Sequence, residues 1–82
     1  MQQTERTGRL TAGMRQAQRL IAAGKARRVL LAKDVDERLR QTVHAAAEAA
    51  NVPVEECESM ARLGRMCRIA VPCAVAVEER GK

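Results

Sequence analysis

One short run decides what kind of fold this chain can adopt: Arg27-Arg28-Val29-Leu30-Leu31-Ala32. Its apolar stretch is continuous rather than alternating, bounded by charge, and built from leucine and β-branched side chains. That is the pattern of a strand buried on both faces. A strand of this kind needs cover on each side, and the remaining segments offer it as helices. A second compact run, Cys73 to Glu79 (CAVAVEE), reads as a final strand fading into a charged tail. The two runs count against an all-helical bundle. Helical and strand patterns alternate along the chain, so the class is α/β, with helices covering a small sheet.

The helical segments carry their own punctuation. After Gly13, residues Met14, Ala17, Leu20 and Ile21 fall on one side at helical spacing, and the helix runs to about Ala23 before Gly24 stops it. In the stretch KDVDERLRQTVHAAAEAA, Asp34 and Glu37 have capping-box spacing. Val35, Leu39, Val43, Ala46, Ala47 and Ala50 mark its core-facing stripe, and Asn51 is its stop. Pro53 then fixes the start of a short strand, VEEC. Ser59 reads as the N-cap of a third helix with Met60, Leu63 and Cys67 on its inner side. Residues 68–72, RIAVP, are a loop. Residues 9–12, RLTA, carry a strand signal that is weak taken alone.

Composition bounds the function classes. With 82 residues, the chain is expected to be one small domain spanning 1–82. A domain of that size buries only about 60–65 % of its unfolded surface, which leaves little room for a deep cleft. There is no Phe, Trp or Tyr, so the core must be aliphatic and the aromatic stacking platform of many single-strand binders is missing. No window approaches the roughly 18 apolar residues of a membrane span. The N-terminus MQQTERTGR lacks the apolar region of a secretory signal, so a cytoplasmic location is expected. Cys57, Cys67 and Cys73, odd in number and with no Cys-x-x-Cys pair, read as small buried thiols rather than a disulfide framework or zinc site.

The net charge is +5, and its distribution is uneven. Residues 1–28 hold seven Arg or Lys against one Glu, and residues 34–58 hold seven Asp or Glu against two Arg. Arg62, Arg65 and Arg68 then restore positive charge. A basic face meeting phosphate and an acidic face left in water is one reading; uneven charge on a soluble protein is the other.

No constellation for catalysis emerges. His44 is the sole histidine and sits mid-helix among alanines. Asp34 and Asp36 are explained by capping and by favourable contact with a helix dipole. No phosphate loop, nucleophile elbow or metal pair is present, so neither an enzyme nor a cofactor is expected. The start of the first helix is the better site. At about 100° per residue, Arg15 and Arg19 lie about 40° apart and Gln16 lies about 100° from Arg15, with the apolar residues opposite. This polar stripe begins where free N–H groups already favour an anion. A glycine there lets a backbone come close. Arginine pairs bidentately with a guanine edge or phosphate, and glutamine donates and accepts together. The arrangement fits a nucleic acid whose base edges lie open beside its phosphates, and equally a solvated basic face with Gly13 as a plain turn.

Three segments also resemble a known family. AGMRQAQRLIAAG, VLLAKDVD and SMARLGRMCRIAVPCAVAV are similar, in order and at matching separations, to the kink-turn RNA-binding ribosomal proteins of the L-seven-Ae/L-thirty-e group, especially its short bacterial members. The likeness covers nearly all of residues 8–77. It implies a three-layer α/β/α sandwich around a four-stranded mixed sheet, with RLTA as an edge strand. It also implies a ligand: structured RNA containing a kink-turn, in which a bulge adjoins tandem sheared G·A pairs. By the same resemblance, Gly13 brings the helix start against phosphates, and Arg15, Gln16 and Arg19 occupy the positions that read guanine edges and adjacent backbone. Ile69, Ala70 and Val71 occupy the loop that packs on extruded nucleotides. Lys33 and Asp36 hold lesser contact positions, while Leu63 and Gly64 hold the third helix. The chain departs from the family pattern at Met14, Arg15, Gln16 and Ala70, and at Arg68, where a glycine is usual. The expected partners are such an RNA and the ribosome, with no membrane, and the protein is expected to be a monomer. The alternative is a protein-interaction or ribosome-docking module whose basic face meets an acidic partner without kink-turn recognition.

Overall fold

The continuous apolar run becomes an inner strand of the sheet. A computed structural model describes residues 10–80. In chain order the elements are β1 (Leu10–Ala12), α1 (Met14–Ala22), β2 (Ala26–Ala32), α2 (Glu37–Ala49), β3 (Val54–Cys57), α3 (Met60–Met66) and β4 (Val75–Glu79). The sheet order is β1-β4-β2-β3. β4 pairs antiparallel with both β1 and β2, whereas β2 and β3 run parallel. A parallel pair needs a crossover, and α2 supplies it. RLTA thus forms an edge strand over Leu10–Ala12. Arg9, expected at its start, lies outside the described residues, as do the last two residues of the charged tail.

Alternation along the two inner strands sorts the core into two layers. Val29, Leu31, Val75 and Val77 turn to one face and pack with Ala17 and Ile21 of α1 and with Val43 and Ala47 of α2. Leu30, Ala32 and Ala76 turn to the other and pack with Leu63 of α3 and with Cys73; Met60 and Cys67 join them half-buried. The result is the three-layer α/β/α sandwich around a mixed four-stranded sheet. Because α3 spans only seven residues, it leaves the far part of its face to polar groups. There Arg28 pairs with the buried Glu78 at 2.5 Å and with Glu55 at 2.7 Å. Burial opposes the Arg28 charge, but the two carboxylates outweigh it and hold its pKa above the ordinary value.

Three local expectations are corrected. The Asp34–Glu37 capping box does not form. Asp36 is the N-cap of α2, its Oδ1 accepting from Leu39 N–H at 2.8 Å. Asp34 turns away, and its Oδ1 accepts from Met60 N–H at 2.8 Å, at the start of α3. That start therefore has two acceptors, because Ser59 Oγ takes Arg62 N–H at 3.1 Å. Replacing Asp34 by alanine is expected to lower unfolding free energy by about 1 kcal/mol, read from urea melts, by leaving a first-turn amide without its partner. Secondly, Ala50 is exposed: α2 ends at Ala49, and the chain reverses through Asn51 at φ 58°. Thirdly, only Cys73 is buried; Cys57 and Cys67 are half-buried, and all three are free. The Cys73 thiol donates to the Val75 carbonyl at 3.0 Å. Burial, with Cys73 alongside, pushes the Cys67 thiol up to about 11. A thiol held protonated in the fold favours the folded state below its unfolded pKa, and that contribution fades as pH rises from about 9 to about 11. The thermal midpoint of a Cys67→Ala variant is therefore expected to fall less over that range than that of the parent.

Candidate functional site

The strand register brings four chain segments to one end of the sheet. Ala12 pairs with Ala76 and Leu31 with Val75, so the exits of β1 and β2 meet the entry of β4. Gly13 N–H donates to the Val75 carbonyl at 2.9 Å, and Ala32 N–H donates to the Ala74 carbonyl at 3.0 Å. α1 thus starts directly beside the segment that enters β4.

Gly13 makes that start possible. Its φ of 109° and ψ of 143° lie in a region that L side chains rarely adopt. A Cβ built on it would meet nothing within 4 Å, so the ground in front is open. The first turn of α1 carries no acidic residue, and Gly13 offers no side chain to cap it. Its leading N–H groups and their partial positive charge are left for something else. Arg15, Gln16 and Arg19 are exposed on α1, opposite the buried Ala17 and Ile21. Among the described residues, none of the three side chains makes a hydrogen bond or ion pair.

The loop facing this helix start is held from below. Cys67 caps α3 and Arg68 follows at φ 63°, the left-handed conformation for which glycine is the usual choice. Ile69 N–H then donates to the Gly64 carbonyl at 3.1 Å and Cys73 N–H to the Met60 carbonyl at 2.9 Å. Gly64 has no room for a side chain, since a Cβ there would lie 2.2 Å from the Val71 carbonyl oxygen. Pinned in this way, the loop presents Ile69 at 37 % and Val71 at 61 % exposure. Ala12, Gly13, Met14, Ile69, Val71 and Pro72 line one groove of about 230 Å³. Helix start and apolar loop, far apart in sequence, are therefore two walls of a single surface. Ala70 is exposed at the loop tip outside the groove.

Lys33 and Asp36 lie just beyond the exit of β2, at the same end of the sheet. Lys33 has an exposed side chain, and its backbone is fixed by N–H donation to the Cys57 carbonyl at 2.9 Å and by Arg40 donating to its carbonyl at 2.7 Å. Asp36 is exposed but already occupied as the α2 cap. Ala12 and Pro72 line the groove without a sequence signal for it: the pairing of β1 with β4 brings Ala12 there, and the loop bonded back to α3 brings Pro72.

A larger concavity, about 620 Å³, opens near β3 and is lined by His44, Glu48, Asn51, Val52, Pro53 and Val54. His44 is exposed there. Among the described residues, no group of three or more His, Cys, Asp or Glu is placed to hold a metal ion, and no helix is long and apolar enough to cross a membrane.

Over residues 1–82 the sequence matches the ribosomal protein L7Ae/L30e/S12e/Gadd45 family. The chain belongs to that family. It is 42 % identical, over 67 residues and 82 % of each chain, to RNA-binding protein GK0100 of Geobacillus kaustophilus. It is 40 % identical over the same length to RNA-binding protein YbxF of Geobacillus stearothermophilus. Among solved structures, a protein of unknown function from Bacillus halodurans shares the fold, with a TM-score of 0.81 at 18 % identity, covering 89 % of this chain and 73 % of that one. The Giardia lamblia 15.5kD RNA binding protein aligns with a TM-score of 0.77 at 29 % identity, over 90 % of this chain and 62 % of its own.

Proposed function

We propose that this protein is a non-enzymatic RNA-binding protein that recognises and stabilises kink-turns in structured RNA. The observation that carries the reading is the single groove shared by the open Gly13 helix start and the exposed Ile69–Val71 loop. The family, and relatives named as RNA-binding proteins, support the same reading.

The division of labour follows from the chemistry of the two walls. The helix start offers free N–H groups and, at Gly13, a surface without a side chain, so phosphates crowded together by a sharp bend can approach closely. Arg15 and Gln16 supply the forked and two-way hydrogen bonding that reads the base edges of sheared G·A pairs, and Arg19 adds charge along the backbone. Ile69 and Val71, with Ala70 at the tip, cover extruded nucleotides that otherwise face water. Lys33 and Asp36 stand at the margin. A protein that binds only the bent form shifts a free RNA towards it by its differential affinity for the two shapes. The reaction is binding alone, without a cofactor. The protein acts as a monomer in the cytoplasm, on the ribosome or on another structured RNA.

The deciding experiment is a gel shift with a short kink-turn duplex against the same duplex with its G·A pairs changed to Watson–Crick pairs. Strong preference for the first is expected. Equal binding of both would reduce the protein to non-specific basic attraction, or leave its basic face to an acidic protein partner. Replacing Arg15 or Gln16 by alanine is expected to weaken kink-turn binding by about 1 to 3 kcal/mol each and to narrow the preference. Arg19→Ala should instead lower the dependence of affinity on salt, with little effect on that preference.

A further inference from the structure

Directly beside the groove runs a basic ridge that does not line it. Arg62, Arg65 and Arg68 follow one another at three-residue intervals and are all exposed. Residues three apart on a helix are neighbours, so Arg62 and Arg65 stand side by side on the solvent face of α3, away from the buried Leu63. With Met66 they line an open concavity of about 270 Å³. Met66, at 43 % exposure, is with Ile69 and Val71 one of the exposed large apolar side chains, all within a single stretch of chain.

Little inside the molecule engages these charges. Arg62 approaches Glu58 at 3.9 Å, a contact between two exposed side chains that contributes little. Arg65 and Arg68 have no carboxylate partner among the described residues. By contrast, Arg28 and Arg40 are each tied to glutamates. The ridge is also anchored to the groove: Arg68 N–H donates to the Arg65 carbonyl at 3.0 Å, and the next residue, Ile69, is already a groove wall. Continuity and charge together point to an occupant that continues from the groove and is itself anionic.

We propose that the α3 ridge of Arg62, Arg65 and Arg68 is a second phosphate-binding surface, occupied by the sugar–phosphate backbone of one stem of the RNA bound in the groove. The inference rests on the reading above. α1 carries the basic residues on one side of the sheet and α3 carries them on the other, with the apolar loop between. A bent RNA seated at the end of the sheet therefore meets positive charge on both flanks. The ridge reads no bases; its contribution is electrostatic and depends on how far the stem extends.

The test lengthens the kink-turn duplex on one side of the bend at a time and compares the full-length parent with an Arg62→Gln/Arg65→Gln variant. Both side chains are exposed, and a urea melt checks that the variant is folded. Extending one stem, and not the other, is expected to raise parental affinity about tenfold at low salt. The variant should lose that gain, and with it a salt slope of about 0.9 per lost phosphate contact. It should still prefer the kink-turn over its Watson–Crick control as the parent does. A parent indifferent to both extensions, or a variant that gains as much as the parent, overturns the proposal and assigns the ridge to a different partner. A parent that ignores the G·A pairs sinks the kink-turn reading instead, and that control is read before any variant is made.

Discussion

Gly64→Ala is expected to cost about 3 kcal/mol of stability, towards the upper end for adding one methyl group to a closed site. The added Cβ would sit 2.2 Å from the Val71 carbonyl oxygen, 3.2 Å from the Val71 carbonyl carbon and 3.3 Å from Pro72 Cα. All three are backbone atoms, so no flexible side-chain end can swing aside. The loop cannot simply lift, because Ile69 N–H is bonded to the Gly64 carbonyl and Cys73 N–H to the Met60 carbonyl. Two responses remain. Either the helix and loop stay together under strain and the urea midpoint falls, or the loop detaches and carries Ile69 and Val71 out of the groove. In the second case stability recovers in part while RNA binding collapses, although Gly64 itself is buried and does not line the groove. A variant with parental stability and parental RNA affinity would show that the loop is not held as described.

That consequence indicates where the sequence is legible and where it is not. The class and the element order from α1 onward can be read because they rest on local signals, the unbroken run of β2, the stop at Asn51 and Ser59 before α3, whereas β1 rests on the family resemblance. Signals that depend on distant partners fail. Asp34 and Glu37 have the spacing of a capping box, yet Asp34 is drawn to Met60 across the fold, and nothing near Asp34 announces it. Ala50 continues the apolar stripe of α2 by periodicity, but the helix has ended by then. Gly64 is given a part in holding the third helix only by the family resemblance; nothing in the residues around it announces the Val71 carbonyl that crosses it. The site shows the same split. Arg15, Gln16 and Arg19 stand out from composition and spacing alone. The loop is marked as part of the site only by the family resemblance, and its place opposite Gly13 depends on the pairing of β1 with β4. Arg68 is a further case. Its φ of 63° is a left-handed conformation that glycine adopts most easily, and its arginine places a charge beside the groove at some cost in backbone energy.

Gly13→Ala separates what the fold needs from what the ligand needs. There is space for the methyl group within the protein, so no packing penalty arises. The cost is conformational, because alanine at φ 109° is strained, and about 2 kcal/mol of stability is expected to be lost. If the backbone relaxes to escape that strain, the Gly13 N–H bond to Val75 is disturbed, and the start of α1 tilts away from the loop. If it does not relax, the methyl group occupies the open ground that the phosphates are proposed to use. Both routes weaken RNA binding, by about 2 to 3 kcal/mol in affinity for the kink-turn, measured at a temperature where the variant is fully folded. Gly24→Ala is the control. Gly24 also has a positive φ, 75°, and open space around it, but it sits at the opposite end of α1. It should lose comparable stability and keep its affinity. Were the two variants to lose affinity equally, the end of the sheet would have no special part in binding, and the RNA would have to lie elsewhere on the protein.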